Sequence, residues 1–140
     1  MELDMIGPAL PLALSSIGSC VGCGIAGMAS HAVMSRVEEG HGKFIGMAAA
    51  PSSQSIYGFL LMLLMSRAIK AGTLTGIAGI GIGAATGLAF MFSAIYMGMC
   101  AATGIQSSAK QPSIYGKCFV ALGIIESFAL FTFVFSLLII

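Results

Sequence analysis

Tryptophan is absent from this 140-residue chain, and charge is almost so: six Lys or Arg and five Asp or Glu, 8% of residues. A soluble domain has about a quarter of its residues charged, so an ordinary water-facing surface is excluded. The formal net charge of +1 leaves no basic or acidic patch of the kind that nucleic acid or a strongly charged partner needs. Cysteine is scarce as well. Cys20, Cys23, Cys100 and Cys118 lie in or beside apolar runs, which reads as small buried hydrophobes and not as a disulfide framework. Cys20-Val-Gly-Cys23 has the spacing of a redox pair, but it sits inside a glycine-rich apolar run and not at a strand–helix junction. The opening MELDMIGPAL is acidic where a cleavable leader is basic, so no leader is expected.

What the chain does have is apolar length. Hydrophobic residues make up 58% of it, with 19 glycines. The run from Phe119 to Ile140, FVALGIIESFALFTFVFSLLII, is long enough to cross a bilayer, which takes about 20 apolar residues. One acid, Glu126, interrupts it near the middle, and the nearest base, Lys117, is more than two turns back. A charge at that depth costs several kcal/mol on insertion scales, roughly 2.5–3.5 or more. An acid retained there reads as an ion pathway, proton relay or counter-ion, against the plainer alternative of a protonated carboxyl hydrogen-bonded between helices.

Three further apolar spans precede this one. The expected layout is a first helix over Met5–Met34, a loop Ser35–Gly42, a second helix over Lys43–Ser66 and a turn Arg67–Thr73. A third helix over Leu74–Gln106 and a loop Ser107–Gly116 then lead to the last span. Pro8 and Pro11 fall in the first turns of the first helix, where proline is tolerated, and Pro112 stops the third. The expected fold class is all-α: a single membrane domain over residues 1–140 with four transmembrane helices running up-down-up-down.

A shift of 74 positions aligns Gly7 with Gly81, Leu14 with Leu88, Ser19 with Ser93, Gly24 with Gly98, Lys43 with Lys117 and Ser53 with Ser127. The chain therefore reads as two tandem helical hairpins, repeats 1–74 and 75–140. In that register Glu126 falls opposite Ser52, so one carboxyl serves four helices. Glycines concentrate in the first and third helices and bulky side chains in the second and fourth. Small residues let helix backbones approach closely, which suits a ring with thin arms inside and bulky arms toward lipid. Gly24 and Gly83 are both expected on the inner packing surface.

In the second helix, Ala50–Gly58 reads APSSQSIYG. Ser53, Gln54 and Tyr57 place oxygens near one helix face, because positions three and four apart are neighbours. Pro51 lacks a backbone donor, which is expected to leave the Met47 carbonyl unpartnered and to expose carbonyls such as that of Ala50. Hard cations take such oxygens; the alternative is a polar patch that joins helices. Gly79-Ile-Gly81-Ile-Gly83 has no preceding strand and no later acid, so it reads as packing and not as a dinucleotide loop. His31 and His41 flank the first loop and read as solvated, and Glu38 and Glu39 read as an exposed pair within it.

The chain resembles the proteolipid (K or c) subunit of bacterial and archaeal V/A-type rotary ATPases. The resemblance covers its whole length and rests on PSSQSIYGF, on FSAIYMGMCAATGIQSSAKQP and on IIESFAL around Glu126. It implies a non-catalytic, ion-translocating subunit in a homo-oligomeric ring that turns against a static membrane subunit. Transport of Na⁺ or H⁺ would be coupled to ATP hydrolysis or synthesis in a soluble sector. No cofactor is implied beyond the transported cation. Carried over residue by residue, the resemblance gives Glu126 as the carboxylate, Ser53 and Gln54 as the family's Thr-Gln pair, Tyr57 as the tyrosine that bonds the Glu, and Ala50 as the source of the carbonyl. Met97 stands where sodium-binding members have Gln, and a thioether is a poor Na⁺ ligand. Ser53 and Gln54 point to Na⁺ and Met97 to H⁺. A small four-helix proton- or sodium-coupled secondary transporter is the rival reading, and it would need an aromatic-lined cavity. Arg36, Lys43, Lys110 and Lys117 at the longer loops outnumber Arg67 and Lys70 opposite, where Glu2 and Asp4 also lie. The positive-inside bias puts loops 35–42 and 107–116 in the cytoplasm; the resemblance implies the plasma membrane of a prokaryote and a central stalk that those loops would meet.

Overall fold

Several helix ends in this chain fall at glycine or proline. The computed structural model describes residues 3–140; Glu2 lies outside the described residues. After a 3₁₀ turn at Leu3–Met5 come α1 (Ile6–Met34), α2 (His41–Ala49), α3 (Ser53–Ala71), α4 (Gly76–Lys110) and α5 (Tyr115–Ser136). A 3₁₀ turn at Ala50–Ser52 joins α2 to α3, and another at Pro112–Ile114 leads into α5. Four spans result that are long and apolar enough to cross a membrane, with α2 and α3 forming one of them, His41–Ala71. The described residues are helical or in short connections, with no strand.

The second and third spans are longer than the apolar pattern indicates. The second begins at His41 and continues through Arg67–Ala71; the third continues through Ser107–Lys110. Polar residues at a membrane edge do not break a helix, and neither RAIKA nor SSAK contains a breaker. Gly72 does: its φ of 77° closes α3 in the left-handed conformation open to glycine. Gly40, with φ 81°, starts α2 in the same conformation. At the end of α4, Gln111 precedes Pro112 and is extended (φ −134°, ψ 86°).

Pro51 draws its helix into a 3₁₀ turn without orphaning the Met47 carbonyl. The Met47 carbonyl, expected to lose its partner, accepts from the Ala50 N–H instead, and the Ala50 carbonyl accepts from the Ser53 N–H. The tighter 3₁₀ bonds absorb the missing donor.

The two glycine-rich helices, α1 and α4, form the spine. A Cβ on Gly83 would strike the Gly7 carbonyl, and one on Gly98 would strike the Gly22 backbone. Gly18 meets the Met91 backbone and Gly22 that of Ala94 in the same way. Backbone touches backbone, which is how helices associate where lipid removes the hydrophobic incentive. Gly24 has nothing within 4 Å of its missing Cβ inside the subunit, so it lies off the contact between α1 and α4. On the outer side, α5 buries only Leu122, Ala129 and Ser136 and exposes Val120, Ile124, Phe128, Phe131 and Phe135.

Candidate ion-binding site

Oxygens gather where Pro51 tightens the second span. Ser53 Oγ lies 3.2 Å from the Ala50 carbonyl and 3.2 Å from Gln54 Oε1, two acceptors for its single proton. Gln54 is fully buried. Its Nε2 donates to Ser93 Oγ at 3.4 Å and approaches Met97 Sδ at 3.9 Å, both on α4. Ser93 in turn donates to the Ile125 carbonyl at 3.3 Å, one residue before Glu126. One turn beyond Ser53, Tyr57 donates from its hydroxyl to Glu126 Oε1 at 3.1 Å. Phe90 and Phe133 hold the Tyr57 ring, at centroid distances of 6.3 and 6.0 Å.

All six residues singled out from the sequence therefore fall in one region. Ala50, Ser53, Gln54 and Met97 form its inner part, while Tyr57 and the half-buried Glu126 form its outer part. Among the described residues, Glu126 bonds Tyr57 and makes no hydrogen bond to Ser53 or Gln54. The two parts are connected through Ser93, which the sequence does not mark as a candidate. Its signal lies in the repeat: Ser19, 74 positions earlier, donates to the Pro51 carbonyl at 2.8 Å, and Pro51 is 74 positions before Ile125. Duplication has kept one clasp in both hairpins, and in the second Gln54 has joined it.

The arrangement offers neutral oxygens and one carboxylate. Among the described residues, no group of three or more His, Cys, Asp or Glu gathers to hold a transition metal. The two surface hollows at the loop end are lined in part by Arg36 and Lys110 and by Glu38 and Tyr115, and neither includes Glu126.

Two hairpins of membrane-spanning helix, with a lone mid-span carboxyl bonded from one hairpin to the other, define a proteolipid of the duplicated-hairpin class. The family model for the C subunit of ATP synthase matches the chain twice, over residues 6–65 and again over 80–139. The chain belongs to that family, as a V/A-type proteolipid. It is 32% identical over 136 residues to the A-type ATP synthase subunit K of Methanocaldococcus jannaschii, covering 97% of this chain and 60% of that relative. It is 31% identical over 144 residues to the V-type sodium ATPase subunit K of Enterococcus hirae, covering 100% of this chain and 91% of that one.

Proposed function

We propose that this chain is a rotor-ring subunit that binds one cation at Glu126 and carries it across the membrane. Transport is coupled to ATP hydrolysis or synthesis in a separate soluble sector, and the subunit itself is not a catalyst. The observation that carries the reading is the Tyr57–Glu126 bond, which gives the mid-span carboxyl a partner from the other hairpin and ties it to a polar cluster. A ring of identical copies, a static membrane subunit and a central stalk are the partners, with loops 35–42 and 107–116 on the cytoplasmic side of a prokaryotic plasma membrane. Repeats 1–74 and 75–140 are the two hairpins. Among the described residues, the aromatics of α5, Phe128, Phe131 and Phe135, are exposed on its outer side and line no cavity of the subunit core, which favours a ring over a secondary transporter with an aromatic-lined cavity.

Sodium is the proposed cation. Ala50 O, Ser53 Oγ and Gln54 Oε1 are hard oxygens clustered around one hydroxyl, and the similar protein from Enterococcus hirae bears the name of a sodium ATPase subunit. A proton is favoured by Met97, whose thioether stands against the Gln54 amide. Dicyclohexylcarbodiimide modifies only a protonated carboxyl, so it separates the two. With purified ring, millimolar Na⁺ slows labelling of Glu126, and Ser53→Ala with Gln54→Ala abolishes the effect while labelling persists. Labelling indifferent to Na⁺ at every accessible pH would leave a proton-carrying ring. Migration as a monomer or dimer in mild detergent would favour the transporter.

A further inference from the structure

We infer that Ser93 is a positioning residue for the cation site, holding the Gln54 side-chain amide with its oxygen toward Ser53 and its nitrogen toward α4. This rests on the sodium reading above.

A buried amide has two possible orientations, and its neighbours choose between them. Gln54 is wholly buried, and its amide nitrogen takes its partners from the side chains of α4. On the α3 side, among the described residues, Ser53 Oγ is the hydroxyl that bonds Oε1. On the α4 side, Met97 Sδ is a weak acceptor with no proton to give, so the amide N–H₂ belongs there. A thioether holds that N–H₂ feebly, and Ser93 Oγ is the stronger of the two acceptors facing it. Ser93 is itself fixed, because its own proton goes to the Ile125 carbonyl. A hydroxyl committed as donor to a main-chain carbonyl can meet Gln54 only as acceptor. The direction of the whole chain is thereby set: Ile125 C=O orients Ser93, Ser93 orients the Gln54 nitrogen, and Oε1 is left beside Ser53 Oγ and the Ala50 carbonyl. Without Ser93 the amide can turn and present N–H₂ to the oxygen cluster, where a cation would be repelled. The first hairpin has the same clasp, Ser19 to the Pro51 carbonyl, with no amide attached to it. The role therefore belongs to Ser93 through Gln54 and not to the clasp in general.

The test is carbodiimide labelling of Glu126 in the purified ring, titrated with NaCl. Ser93→Ala is expected to raise the Na⁺ concentration for half-protection about fivefold, the worth of roughly one neutral hydrogen bond, and Ser93→Thr to restore it. Because Ser93 acts through Gln54, Ser93→Ala added to Gln54→Leu produces no further change, the non-additivity expected of residues in one network. A merely structural role would add its own effect in both backgrounds. Ser93→Cys, which keeps the volume and weakens both bonds, gives the same direction of change should the alanine variant not assemble. Equal half-protection in wild type and Ser93→Ala overturns the proposal and leaves the sodium reading standing, as does a full additional effect on Gln54→Leu. Wild-type labelling that ignores Na⁺ overturns the sodium reading, and the proposal with it.

Discussion

The Tyr57 hydroxyl donates to Glu126 Oε1 across 3.1 Å, bridging residues 69 positions apart and joining the bulky arm of one hairpin to that of the other. The mid-span acid therefore depends on the first repeat for its partner, although that repeat has no mid-span acid of its own.

Replacing the acid tests the centre of the reading. Glu126→Gln keeps the shape and a hydrogen-bond acceptor but cannot cycle charge. Ion transport and coupled ATPase activity in proteoliposomes are expected to vanish, with ring assembly on native gels unchanged. Transport at the wild-type rate would remove Glu126 from the pathway.

Tyr57→Phe deletes one hydroxyl and little volume. Hydrogen bonds to charged groups contribute about 1.5–3 kcal/mol, and the half-buried site puts this one at the lower end. Half-protection by Na⁺ is expected to need about tenfold more salt. The Phe90 and Phe133 contacts keep the ring in place, so assembly is retained. Unchanged protection would mean the bond is incidental.

Proton and sodium compete for the one carboxylate. Where Glu126 is protonated in the absence of Na⁺, each unit fall in pH is expected to raise the half-protecting Na⁺ concentration about tenfold by mass action. A half-protection concentration that does not move with pH in that range would show that the two ions do not share a site.

Met97→Gln puts an amide oxygen where a thioether faces Gln54. Half-protection is expected to shift to lower Na⁺, read from the same labelling titration. A shift to higher Na⁺ would show that the added amide pairs with Gln54 and withdraws it from the cluster.

The glycines separate by what their missing Cβ would meet. Gly83→Leu and Gly98→Leu drive a side chain into the Gly7 carbonyl and the Gly22 backbone, and neither variant is expected to yield folded subunit in detergent. Gly24→Leu meets open space within the subunit and is expected to fold. Normal yields of Gly83→Leu would show that α1 and α4 do not pack through it.

The spans, the duplication, Glu126 and the Ser53–Gln54–Tyr57 face are legible because each is a signal along the chain: apolar length, self-similarity, a misplaced charge, helical spacing. Ser93 is not legible as a site residue. A serine in a membrane helix usually bonds a carbonyl of its own previous turn, as Ser66 does with Met62, and only the fold shows that Ser93 reaches Ile125. The same holds for Gly24 and Gly83, which are alike in composition but lie on different faces of their helices. The Met47 carbonyl keeps a partner against expectation because a missing donor at proline says nothing of a 3₁₀ turn that supplies another.

One carboxyl per four helices also has a mechanical meaning for the proposed rotor. A ring with an acid in every hairpin would move two charges where this one moves a single charge, for the same circumference. In the proposed rotor each revolution would carry half the electrical load, so that a fixed number of ATP molecules per turn would push ions against about twice the electrochemical potential. With Ser52 in place of a second acid, the proposed rotor would run in a low gear, suited to steep gradients and slow delivery.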